Sequence, residues 1–78
     1  MPRWLKKTLG VILPTDKPLT FETHVSEKIE IISGKCFIKR DQSEETEVYH
    51  PGEFFTVPAN SRFNMQSTEV VDYICHLE

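Results

Sequence analysis

This chain has no long apolar run. A membrane-spanning helix needs about 20 consecutive apolar residues, whereas Val11-Ile12-Leu13 is closed at once by Pro14 and is also too short for a signal-peptide core. It has no surplus of positive charge either. Nine Lys and Arg stand against twelve Asp and Glu, a formal charge of −3, which argues against the basic surface that nucleic acid requires. Cysteine is scarce: Cys36 and Cys75 are the only two, and no Cys-x-x-Cys pair offers a zinc or redox motif. Each sits in an apolar stretch and reads as a reduced, buried thiol. Helical periodicity is missing throughout. With 78 residues the chain makes one domain, expected in the cytoplasm, with a thin core that a partner subunit would complete.

What is present is a series of short strand-like segments punctuated by Pro, Gly, Asn and Asp. They fall at 8–13, 19–24, 27–33, 35–40, 47–49, 53–57, 62–67 and 70–77. Turn signals spaced this closely predict an all-β sandwich or barrel. Strand side chains alternate between faces, so period 2 sorts them. Ile29 and Ile31 point inward, and Glu27 with them. Leu19, Phe21 and Thr23 share an inner face, as do Phe55 and Val57, Phe63 and Met65, and Val71, Tyr73, Cys75 and Leu77. Phe37 falls outward with Lys35 and Lys39, a candidate subunit contact.

The segment 52–63 runs Gly52, five residues, Pro58, Ala59, the turn residue Asn60, and then Phe63. This spacing resembles the second motif of the cupins, small barrels that place a metal-binding His where Phe63 stands. The first cupin motif, counted back from Gly34, puts its carboxylate at Glu27 and its two histidines at about Phe21 and Thr23. Imidazoles select first-row metals, and one remaining carboxylate cannot hold a metal tightly, so no metal is expected. His24, His50 and His76 occupy neighbouring, turn or outward positions. The replaced ligands leave Phe21 and Phe63 beside Glu27, Thr23 and Tyr73. That set makes either a small-molecule pocket with few polar groups or simply a filled barrel interior.

Several segments together point further. Gly10-Val11-Ile12-Leu13-Pro14, Thr20-Phe21-x-Thr23, Ile31-Ile32-Ser33-Gly34, Tyr49-x-x-Gly52-x-x-Phe55-x-Val57-Pro58-Ala59-Asn60-Ser61-x-Phe63 and Asp72-Tyr73-Ile74-Cys75 resemble, in order and spacing, the pyrimidine/purine nucleoside phosphorylase family of small bacterial cupins. The match runs from about Lys7 to the C-terminus. The resemblance implies an RmlC-like jelly-roll barrel acting as a homodimer. Members carry a further strand upstream, so either the start of this chain is misassigned or that first strand is absent, and its absence would expose a sheet edge. The implied reaction is phosphorolysis: orthophosphate and a purine or pyrimidine nucleoside give free base and ribose 1-phosphate, with no cofactor beyond the phosphate. A non-catalytic module that binds a nucleoside-like or sugar-like ligand is the alternative.

Phosphorolysis passes through an oxocarbenium-like ribosyl centre, so positioning and charge stabilisation dominate. By facing and chemistry, Glu27 is the catalytic candidate, accepting from ribose hydroxyls and stabilising positive charge. Arg62 and Ser61 are candidates for holding phosphate, and Thr23 adds a hydroxyl. Phe63 and Tyr73 are candidates for stacking the base, and stacking tolerates any base. Each has a structural alternative: an ion pair for Glu27, a solvated turn position for Arg62, turn closure for Ser61, core packing for Tyr73.

Overall fold

The computed structural model describes residues 6–41 and 43–77, so most of the basic N-terminal stretch lies outside the described residues. Eight strands follow one another: β1 (Lys6–Ile12), β2 (Leu19–Glu22), β3 (Glu27–Ser33), β4 (Cys36–Arg40), β5 (Thr46–Tyr49), β6 (Phe54–Val57), β7 (Arg62–Gln66) and β8 (Val71–Leu77). All eight expected strands are present, with ends moved by a few residues. No helix occurs among the described residues, and none is long and apolar enough to cross a membrane.

The strands form two antiparallel four-stranded sheets, ordered β1-β8-β3-β6 and β2-β7-β4-β5. Apart from the β4–β5 hairpin, neighbours in each sheet are distant in sequence, as in a double-sheet jelly roll. The expected barrel is therefore the observed fold. Alternation decides which side chains meet between the sheets. On β3, Ile29 and Ile31 are buried while Lys28 and Glu30 are not; on β4, Cys36 and Ile38 are buried while Phe37 and Lys39 face outward. Phe37 is partly covered there by Lys35, whose ammonium lies 5.4 Å from the ring centre. More exposed apolar side chains lie on the edge strand β1, where Leu9 is 80% and Val11 56% exposed.

Turn chemistry sets the register. Gly34, between β3 and β4, has φ +84°, and a Cβ there would lie 2.3 Å from the Val70 carbonyl oxygen, so neither conformation nor space admits a side chain. Ile31 falls at a register shift in the β3–β8 ladder, beyond which Ser33 pairs with Asp72 in register and by a 2.7 Å hydrogen bond from its hydroxyl.

Inside, four rings run in a row between the sheets. Phe21 stacks on Phe63 at 5.5 Å, Phe63 meets Phe55 edge-on at 5.9 Å, and Phe55 stacks on Tyr49 at 4.8 Å. Such pairs add about 0.5–1.5 kcal/mol each beyond the burial of their area. Phe21 and Phe63, which stand at cupin ligand positions by spacing, are two of these four rings.

Candidate functional site

The β6–β7 turn carries the first part of the site. Pro58 and Ala59 lead into Asn60, which adopts the left-handed conformation at φ 57°, a region Asn tolerates better than most residues. The turn is tied to the end of β2 by Thr23. Its backbone N–H donates to the Ser61 carbonyl at 2.9 Å, and its carbonyl accepts from the Asn60 N–H at 3.0 Å. Its hydroxyl donates to the Pro58 carbonyl at 2.7 Å and accepts from the Ser61 N–H at 2.9 Å. Thr23 is only 3% exposed. Its hydroxyl is thus committed to holding the turn, and the expected substrate contact gives way to a positioning one.

Beyond this clamp lies an open cleft of about 630 Å³, a size that suits a small metabolite. Glu22, Thr23 and His24 line it from the end of β2, Arg40 and Asp41 from the end of β4, and Val57, Pro58, Asn60, Ser61 and Arg62 from the β6–β7 turn. Arg62 pairs with Glu22, its register partner, at 3.3 Å, but both side chains are more than half exposed, so the pair adds little stability. The Ser61 hydroxyl donates to the Ala59 carbonyl at 3.3 Å.

Glu27 and Tyr73 do not line this cleft. They lie on the inner face of the other sheet, together with Cys75, whose thiol donates to Glu27 Oε1 at 3.3 Å. Burial first, and then the hydrogen bond to the Glu27 carboxylate, pushes the Cys75 thiol up to about 12. Burial, with the charges of Cys75 and Glu27, also raises the Tyr73 phenol. The Tyr73 ring lies over Gly10, where a Cβ would stand 2.2 Å from Tyr73 Cζ, so the absent side chain makes room for the ring. Glu27 is still close to the cleft by topology, because it pairs in register with Val57.

Phe63 joins neither group. It is 2% exposed, with Phe21 against one side and Phe55 against another. The expectation that its ring faces a pocket and stacks a base is corrected here: the space vacated by the ligand positions is closed by packing. Of the expected histidines, His50 pairs with Glu53 at 3.0 Å and His76 with Glu30 at 3.4 Å, while His24 lines the cleft. Among the described residues no three His, Cys, Asp or Glu side chains come together as a metal-ligand set.

Sequence reading missed a polar cluster at the end of the aromatic row. Arg40 continues the inward alternation of Cys36 and Ile38. Its Nε donates to Glu47 Oε2 at 2.8 Å and its Nη2 to Oε1 at 3.4 Å, while Nη1 donates to the Thr56 carbonyl at 2.8 Å. The Tyr49 hydroxyl also donates to Glu47 Oε1. The guanidinium carbon lies 5.8 Å from the centre of the Phe55 ring. The hydrogen bond from Arg40 holds the Glu47 carboxyl below its ordinary range, and the same bond raises the Arg40 guanidinium. The period-2 pattern of 36, 38 and 40 marks Arg40 as inward, but not the partners it meets.

Comparison with known proteins places this architecture. The family model for pyrimidine/purine nucleoside phosphorylase matches residues 2–77. A protein of that name from Acinetobacter baumannii is 60% identical over 73 residues, covering 94% of this chain and 68% of the relative. Pyrimidine/purine nucleoside phosphorylase 1 of Psychrobacter cryohalolentis is 49% identical over 75 residues, with coverage of 92% and 68%. Among solved structures, a protein of unknown function from Acinetobacter sp. ADP1 superposes with a TM-score of 0.89 at 60% identity, covering 92% of this chain and 69% of that one. A cupin-2 domain protein from Shewanella frigidimarina shares the fold, with a TM-score of 0.72 at 13% identity over 92% of this chain and 69% of its own. With its ordered motifs, jelly-roll topology and match along nearly its whole length, this chain belongs to the pyrimidine/purine nucleoside phosphorylase family.

Proposed function

We propose that this protein cleaves purine and pyrimidine nucleosides with orthophosphate, releasing free base and ribose 1-phosphate, and that it does so without a metal. Family membership along residues 2–77 is the observation that carries the reading. The cleft at the β6–β7 turn supports it chemically, since Arg62 offers a cation for phosphate beside Ser61 and Asn60. In the proposed step a phosphate oxygen attacks C1′ of the ribose. The C1′–N bond breaks with its electron pair passing to the base nitrogen, which takes up a proton. Cleavage of the C1′–N bond runs ahead of full bonding to the phosphate oxygen, so positive charge develops on the ribosyl ring and a nearby carboxylate lowers the barrier. Glu27, one cross-strand step from the cleft residue Val57, is assigned that role and the acceptance of ribose hydroxyls. Neither ring considered for the base lies on the cleft: Phe63 is buried and Tyr73 packs over Gly10, so the base is assigned to the Val57–Pro58 wall. An apolar wall recognises no particular base, in keeping with a broad substrate range.

The test is release of base from uridine, cytidine, adenosine, guanosine and xanthosine at increasing phosphate. Release that saturates in phosphate, and falls in Glu27→Gln, supports the reading. Saturable nucleoside binding without any product would replace it with the non-catalytic binding module. Elemental analysis of active protein is expected to find well under one transition-metal ion per chain, and sedimentation analysis is expected to give a homodimer.

A further inference from the structure

Arg62 is not the better placed of the two arginines at the cleft. It stands 57% exposed on the rim, and its paired Glu22 is equally free in solvent. Water and salt screen such a charge strongly. Arg40 reaches the same cleft from between the sheets, with a side chain only 30% exposed. A less hydrated guanidinium is a stronger partner for an oxyanion, because less water competes for it.

Its hydrogen bonds also leave the right group open. The Nε and Nη2 edge is taken by the Glu47 carboxylate, and one Nη1 hydrogen by the Thr56 carbonyl. An arginine carries five N–H donors, so two remain without a protein acceptor among the described residues, one on each terminal nitrogen. One free donor on each of two neighbouring nitrogens lets a guanidinium reach two oxygens of a phosphate. The guanidinium is held rigidly enough to present them. Glu47 grips it from one side, Thr56 from another, and the Phe55 ring lies beneath it at 5.8 Å. Glu47 is itself fixed by the Tyr49 hydroxyl. Preorganised donors of this kind lose little freedom when the anion arrives.

We propose that Arg40 is the principal phosphate-binding cation of the cleft, with Glu47 and Tyr49 as positioning residues that aim it. The ligand is the orthophosphate co-substrate, or the phosphate group of the ribose 1-phosphate product. Glu22 and Asp41 also line the cleft and oppose the anion, so affinity for phosphate alone is modest. The inference rests on the phosphorolysis reading for its kinetic consequence, but the anion site itself can be measured without turnover.

The experiment compares the full chain with Arg40→Met, Arg40→Lys, Glu47→Gln and Tyr49→Phe. Lys39→Met, an equal charge change on the exposed outer face of β4, serves as the control. Initial rates are measured with phosphate and uridine varied separately, and phosphate binding without nucleoside is followed by line broadening in phosphorus NMR. Arg40→Met is expected to raise the phosphate KM about tenfold or more, the loss of a charge-assisted pair of bonds, with the uridine KM changed less than about twofold. Arg40→Lys falls between, because an ammonium cannot form the fork. Glu47→Gln and Tyr49→Phe raise the phosphate KM by a smaller factor, and Lys39→Met leaves both KM values alone. If Arg40→Met does not fold, Arg40→Lys and Tyr49→Phe carry the test. Unchanged phosphate affinity in the folded Arg40 variants, or equal rises in both KM values, overturns the proposal. If no variant and no parent chain turns over nucleoside, the phosphorolysis reading fails, and the NMR arm still decides the site: broadening lost in Arg40→Met upholds the anion site, and broadening retained removes it.

Discussion

Replacing Thr23 by valine exchanges a hydroxyl for a methyl group of nearly the same shape, so any effect comes from hydrogen bonding rather than volume. The hydroxyl of Thr23 donates to the Pro58 carbonyl at 2.7 Å and accepts from the Ser61 N–H at 2.9 Å, in surroundings that leave the residue 3% exposed. A typical buried hydrogen bond contributes about 1 kcal/mol net, and a stranded buried donor or acceptor costs about 1–3 kcal/mol. Two bonds are lost, and Thr23→Val strands groups at both ends of the turn. The expected destabilisation is therefore about 2–4 kcal/mol. In a domain of this size about 1 kcal/mol moves Tm by roughly 4–8 °C, so a fall of about 8–30 °C is expected. Thr23→Ser keeps the oxygen and loses a methyl group, for about 1 kcal/mol. Thermal and denaturant unfolding give the global numbers, and hydrogen exchange at the Ser61 amide reports on the clamp directly. In Thr23→Val that amide exchanges faster, because its acceptor has gone; in Thr23→Ser its protection survives. A Thr23→Val protein within about 0.5 kcal/mol of the parent, or a Thr23→Ser protein that loses as much as the valine variant, would refute the account of Thr23 as the tie that sets the cleft wall.

Three further outcomes are expected. Gly10→Ala drives a methyl group into the Tyr73 ring, whose Cζ would lie 2.2 Å away, and costs about 1–3 kcal/mol by overpacking; combined with Tyr73→Ala the two costs should add to less than their sum, as a double-mutant cycle of unfolding energies will show. Glu47 has its folded-state pKa lowered from 4.5, chiefly by the hydrogen bond from Arg40, so its contribution is present in full above about pH 4.5 and disappears as pH falls through the lower folded value; the Tm difference between the parent and Glu47→Gln should shrink across that acidic range and stay constant from about pH 5 to 8. Burial raises the thiols of Cys36 to about 11 and Cys75 to about 12, so iodoacetamide at neutral pH should label neither in the native protein and both in denaturant.

The fold was readable because its instructions are local. Alternation at Ile29 and Ile31, and at Val71 and Cys75, assigns the inner face without knowledge of the partner sheet, and Gly34 and Asn60 mark turns whose backbone few other residues accept. The site was only partly readable because it depends on how the two sheets meet. Thr23 carries a hydroxyl whatever its neighbours, but only the approach of Pro58 and Ser61 shows that the hydroxyl is already occupied. Phe63 reads as a ring at a former ligand position, yet Phe21 and Phe55 close over it from other strands. The polar cluster was hidden because the short strand 47–49 carries too little alternation to assign its faces. In the fold Val48 is 41% exposed, while Glu47 and Tyr49 turn inward to meet Arg40. A charged pair within an apolar alternation becomes legible only when both strands are placed side by side.

The central claim is that phosphate, not water, displaces the base. Phosphorus NMR of the full chain with uridine and orthophosphate tests it most directly. The account predicts a new ribose 1-phosphate signal that grows in step with free uracil and with loss of orthophosphate, and that is abolished when phosphate is omitted. Uracil released with no change in the orthophosphate signal, or no product at all from protein shown to be folded, would contradict it.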